Sequence, residues 1–171
     1  RVSKFGTKPV GTFILNSSFA PVNDHCDSAI SVSDGSVQFC NIAADTDGPT
    51  EANCSFCCGD TQVNGDLWYR YTAPVSGTVT MSTCNNASFD TKIAVYNACP
   101  AAPDTAISCN DDACDIVRSV VTFPALANQQ FLVRVGAYAT TRGTGTLTIS
   151  SAPSACDADL NQDGNTDQAD V

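Results

Sequence analysis

The sequence predicts an all-β fold, a jelly-roll-like two-sheet β-sandwich, and three observations carry that prediction. Short apolar stretches recur through residues 26–151, divided by turn residues such as Ser76-Gly77, Asn110-Asp111 and Gly143-Thr144-Gly145. Strands punctuated this regularly are the mark of a sandwich. Several stretches alternate apolar and polar positions, most cleanly Phe131-Leu132-Val133-Arg134-Val135, which is the period of a half-buried strand. Of 18 acidic residues, all but Glu51 are Asp. Helices use Glu freely on exposed faces, whereas Asp favours turns, caps and metal loops. Abundant Thr, Ser and Val complete the β signature.

Taken in order, the first element is a β-branched run at residues 10–15, between Pro9 and the polar Asn16, Ser17 and Ser18. It reads as an extra N-terminal strand set apart from the body. A loop over 19–27 follows, with Pro21 and Cys26. Strands are then expected at 37–43, 66–72, 77–84, 91–97, 106–109, 117–123, 130–137 and 144–150. In the strand at 130–137, Phe131, Val133 and Val135 are expected inside and Arg134 in water. Trp68, Tyr69 and Tyr71 give their strand a large apolar face, read as core packing rather than a sugar platform. No helix longer than a turn or two is expected. The chain divides into an extension at 1–22, a sandwich at 23–151, and a Pro153-containing linker with a terminal loop at 152–171.

Composition sets the compartment. Ten cysteines in 171 residues make sense as disulfides in an oxidising, extracellular setting. The even count allows Cys26, Cys40, Cys54, Cys57, Cys58 and Cys156 to pair along with the rest, in a pattern sequence cannot give. Locally, Cys99 and Cys109 bracket a loop with Pro100 and Pro103, and a bridge between them would close a hairpin. Zinc is a poor rival, since the sole histidine is His25 and no second C-x-x-C follows at ribbon spacing. Cys57-Cys58-Gly59 has no neighbouring cation to hold a thiolate, so it reads as disulfide partners rather than a redox site. A net charge of −10 disfavours nucleic acid. No apolar run approaches the roughly 18 residues of a membrane span. The start at Arg1, without Met or leader, is read as a mature, processed form.

Calcium is the expected cofactor. Asp159, Asn161, Asp163, Asp167 and Asp170 fall at positions 1, 3, 5, 9 and 12 of a calcium loop. Gly164 stands at the sharp turn, and Asn165 offers its carbonyl at the seventh position. Asp170 stands where an EF-hand has a bidentate Glu, and the run resembles one half of a bacterial dockerin repeat over about a dozen residues. Within the body, Asp111 and Asp112 lie in a loop pinned by Cys109 and Cys114, and adjacent like charges are costly unless neutralised. Asp90, Asp111 and Asp112 are therefore either a second calcium site or solvated turn aspartates.

Five motifs in fixed order carry a wider resemblance: N-D-H-C-D-S-A at 23–29, D-L-W-Y-R-Y-T-A-P at 66–74, S-F-D-T-K-I-A-V-Y at 88–96, C-N-D-D-A-C at 109–114, and F-L-V-R-V-G-A-Y with G-T-G-T-L-T-I-S within 131–150. Together they resemble the cysteine-containing branch of the bacterial pre-peptidase C-terminal domain family. That resemblance implies a secreted, non-catalytic sandwich and places Cys84 and Cys114 close enough to bridge. The residues agree on catalysis, because His25 has no nucleophile-elbow partner anywhere.

Two functions follow. In the first, the protein is an extracellular structural subunit that self-associates. Val10, Phe13, Ile14 and Leu15 complete a neighbour's sheet, and head-to-tail repetition gives a filament. Pairing of the same strand within its own sandwich is the alternative. In the second, the chain is an accessory module of a larger secreted protein that binds polysaccharide or protein. Sequons at Asn16, Asn53 and Asn86, with O-linked positions around 139–141, mark candidate glycosylation sites.

Overall fold

Alternating side chains and frequent turns build nine strands in the computed structural model, which describes residues 19–154 apart from Ser55, Asn85 and Asp115. The strands are β1 (Ile30–Val32), β2 (Gly35–Cys40), β3 (Asn64–Thr72), β4 (Gly77–Ser82), β5 (Thr91–Tyr96), β6 (Ser108–Asn110), β7 (Val120–Ala125), β8 (Gln130–Ala137) and β9 (Thr144–Pro153). Among the described residues helix is confined to three 3-10 turns, at Cys26–Ser28, Ala52–Cys54 and Cys57–Gly59. The extension at 1–18 and the terminal loop at 155–171 lie outside the described residues.

Two sheets form, ordered β1-β3-β8-β5-β6 and β2-β9-β4-β7. The fold is an all-β, two-sheet sandwich. Its core is the meeting of the two inward rows: Tyr69, Tyr71, Ile93, Phe131 and Val133 face Met81, Phe123, Leu147 and Ile149. Phe123 and Phe131 meet with ring centroids 4.8 Å apart, within the range of favourable aromatic pairs.

The strand at 130–137 matches the expected bounds, but other boundaries moved. β1 has no counterpart in the sequence reading; it is three residues long and pairs with β3 in parallel. The strand expected at 117–123 runs instead over Val120–Ala125. Residues 117–119 are used elsewhere, with Val117 O accepting from Thr91 N and Ser119 O from Thr83 N. Pro153 is not in a linker but closes β9 opposite Gly77. Gly77 has φ +154°, and a Cβ there would run into the Ala152 carbonyl.

The larger correction concerns Arg134, which was expected in water and is fully buried. A second apolar layer covers the outer face of the five-stranded sheet, with Cys26, Phe56, Trp68, Tyr96 and Leu132 in it. The 41–63 loop lies over Arg134 and satisfies it. Nε donates to Asp66 Oδ2 at 2.5 Å, Nη1 to Pro49 O at 2.7 Å, and Nη2 to Gln62 Oε1 and Val63 O. Gly48 lets the loop approach, since a Cβ there would strike the guanidinium. Buried charge is tolerable only with such pairing and hydrogen bonding. Trp68 and Tyr69 are likewise buried, so these two aromatics pack rather than present a platform.

Candidate functional site

Loops built by Asp-rich turns bring the three body aspartates together. Asp90 stands just before β5, and Asp111 and Asp112 just after β6. One carboxylate oxygen from each lies within 4.8 Å of the others. Asp111 is buried, Asp90 half-buried and Asp112 exposed. Ser119 Oγ donates to Asp111 O at 2.8 Å, and the Cys84–Cys114 bridge pins the same loop. Behind it the buried Lys92 ammonium sits 4.0 Å from Asp111 Oδ2 and 3.1 Å from Asp60 Oδ2. The Phe56 ring lies 4.4 Å away. Burial raises the Asp60 carboxyl, but N–H groups of Ala139 and Gln62 together with Lys92 hold it below its ordinary value. Hard carboxylate oxygens in this arrangement suit calcium better than a softer metal. The terminal set Asp159, Asn161, Asp163, Asn165, Asp167 and Asp170 lies outside the described residues, as do Val10, Phe13, Ile14, Leu15, Asn16 and Cys156.

Sulfur pairing differs from the local guess. Cys99 is bridged to Cys26 and Cys109 to Cys54, in place of a Cys99–Cys109 link. The reason is the outer layer: the turn after β5 folds back to the 3-10 turn at Cys26–Ser28, while Cys109 on β6 meets the turn at Ala52–Cys54. Cys84 is joined to Cys114, and Cys58 is disulfide-bonded. Cys40 departs from full pairing. Its thiol is free and exposed, because it points outward from β2, on the face opposite the layer where these bridges gather.

That opposite face is the second feature. Among the described residues nothing covers the outer face of the four-stranded sheet, and its outward rows are in register. Gln38 stands beside Thr146; Ser36, Thr148 and Ser82 form one row; Ser150, Thr80 and Thr122 form another. None of these side chains ionises, in a chain of net charge −10. At the Cys40 end the face deepens into a groove of about 650 Å³, lined by Gln38, Asn86, Ser88, Thr144 and Thr146 together with Phe39, Cys40, Ala87 and Gly145. The amides of Gln38 and Asn86 and the hydroxyls of Thr144 and Thr146 can both donate and accept, which suits a neutral ligand rich in hydroxyls, while Ser88 Oγ is engaged with the Thr144 backbone. The signal was present in sequence as T-G-T-L-T-I-S at 144–150, but it read only as a strand. Among the sequons, Asn86 is exposed on this groove and Asn53 is exposed elsewhere.

Residues 22–149 match the T9SS-associated family described as galactose binding domain-like. The fold is similar to the pre-peptidase C-terminal domain of a collagenase from Bacillus anthracis. That likeness has 10% sequence identity and a TM-score of 0.48, over 71% of this chain and 94% of that one. No curated protein matches the chain. Among the described residues no helix is long and apolar enough to cross a membrane.

Proposed function

This chain belongs to the T9SS-associated galactose binding domain-like family, and on that premise we propose that it is a non-catalytic, extracellular module that binds a neutral carbohydrate. The observation that carries the reading is the uncharged groove over Gln38, Asn86, Ser88, Thr144 and Thr146. Sugar hydroxyls exchange hydrogen bonds with water for those with amides and hydroxyls, and a site without charge avoids desolvating an ion. Disulfides support an extracellular setting. The test is affinity electrophoresis and calorimetry of the full chain against galactose and neutral polysaccharides. Binding is expected, and Thr146→Asp is expected to weaken it at least tenfold. Absence of binding, or binding untouched by that charge, would sink the reading.

Calcium accompanies the reading as a structural ion. Asp90, Asp111 and Asp112 supply hard oxygens from a loop held by a disulfide, and the ion would fix that loop while relieving carboxylate repulsion. Lys92 already offsets part of the charge, so the affinity expected is moderate. The terminal loop is proposed as the tighter site, on its ligand spacing alone.

A second reading, an extracellular structural subunit that self-associates head-to-tail into a filament, is favoured by one observation. β2 is an edge strand carrying neither proline nor charge, Gly-Ser-Val-Gln-Phe-Cys. Such edges invite another strand.

A further inference from the structure

Sandwiches end in edges, and the edges here are treated unequally. β7, the far edge of the four-stranded sheet, is blunted. Ser108 Oγ donates to Thr122 O at 3.3 Å, Asn110 Oδ1 accepts from Val120 N at 2.9 Å, and Pro124 carries no donor. β1 and β6 are three residues each. β2 is six residues long and regular, and among the described residues it pairs with β9 alone.

The phase of its ladder is fixed. Asn41 N donates to Gly143 O at 3.1 Å, one step beyond the Cys40–Thr144 pair. Antiparallel bonds alternate, so Val37 and Phe39 bond to β9 while Ser36, Gln38 and Cys40 turn their N–H and C=O groups outward. Among the described residues none bonds to those groups. Exposed apolar side chains also occur in the sequence around β2, while Ile107, Ile116 and Leu126 are exposed elsewhere. Phe19, Val22, Ile30 and Ile42 are 84%, 79%, 37% and 65% exposed; Phe19 and Val22 precede β1, Ile30 begins it, and Ile42 follows β2.

We infer that the β2 edge receives residues 10–15 of a second copy as an added strand. The segment Val10-Gly11-Thr12-Phe13-Ile14-Leu15 is as long as β2, uncharged and β-branched. Its backbone would satisfy the outward groups of Ser36, Gln38 and Cys40, and alternate side chains would extend the two faces of the sheet. A second copy is taken as the donor because Phe19 and Val22, among the described residues nearest that segment, turn their side chains to solvent instead of packing on their own sandwich. Donor and acceptor surfaces differ, so the contact is heterologous and repeats without closing. This inference rests on the structural-subunit reading, not on carbohydrate binding.

The test uses the full chain. Light scattering of the native protein is expected to give masses above the 17.8 kDa monomer. Gln38→Pro deletes an outward N–H while leaving the β9 ladder intact, and Phe13→Asp spoils the donor. Each is expected to be monomeric, with β circular dichroism retained. Mixed, they should restore a 1:1 pair, since each keeps the half the other lacks. A monomeric native chain would overturn both this inference and the reading beneath it. Multimers that survive Gln38→Pro would overturn the assigned edge while self-association stands. Phe13→Asp lowering the melting temperature with no change in mass would show pairing within one sandwich and overturn exchange.

Discussion

Arg134 shows what a single side chain decides. With Asp66 it forms a buried pair at 2.5 Å, both side chains fully enclosed. Leaving either charge alone in that layer is expected to cost about 3–5 kcal/mol, so Asp66→Ala should lower the urea midpoint sharply with an unchanged slope. The double replacement Asp66→Leu with Arg134→Met should recover most of the loss. Alternation placed Arg134 correctly on the opposite face from Val133, but period two says nothing about whether that face is covered. His25 is a gentler case. Its Nδ1 lies 3.0 Å from Asp47 Oδ2, and Asp47 also accepts Trp68 Nε1 at 2.7 Å. The hydrogen bond to Asp47 raises the histidine above its ordinary 6.5. A raised folded value means the contribution is complete below pH 6.5 and fades as pH climbs through the folded value. Melting temperature should therefore fall slightly between pH 6 and 8, and His25→Gln should flatten that slope.

At the scale of elements, strand positions were largely legible where alternation ran long, as in β8 and β9. They failed where another demand intervened. β1 is too short to show a period, and before β7 begins the carbonyls of Val117 and Ser119 accept from Thr91 and Thr83 while that of Arg118 accepts from Ala113. The Cys84–Cys114 bridge ties the end of β4 to the loop after β6, across a separation of 30 residues. Closing a loop of that length is worth about 3–4 kcal/mol. The Cys84→Ser/Cys114→Ser pair should lose roughly that amount in equilibrium unfolding, with the 111–118 loop exchanging its amide hydrogens first. An unchanged midpoint would show that strain in the folded state cancels the constraint.

Across the whole molecule the two outer faces have opposite fates. One sheet is roofed by loops and bridged cysteines over Trp68, Lys92 and Arg134; the other, among the described residues, presents an uncovered face rich in hydroxyls and without charge. A chelator is expected to lower the melting temperature of the full chain. Asp111→Asn with Asp112→Asn should reduce that drop without abolishing it, because the terminal loop retains its own ligands. No response to chelation would end the calcium proposal. By itself the sequence determined that this chain is a stranded sandwich, with Asp111 and Asp112 side by side in one loop, because alternation, turns and close spacing are local properties written residue by residue. Only the tertiary structure decided the partners of Cys26 and Cys54, that Asp90 meets Asp111 and Asp112, that Arg134 is enclosed, that Cys40 is free, and that β2 is an open edge among the described residues. Those outcomes depend on which segments cross a sheet face or end a sheet, and separations of 55 and 73 residues leave no trace in local pattern.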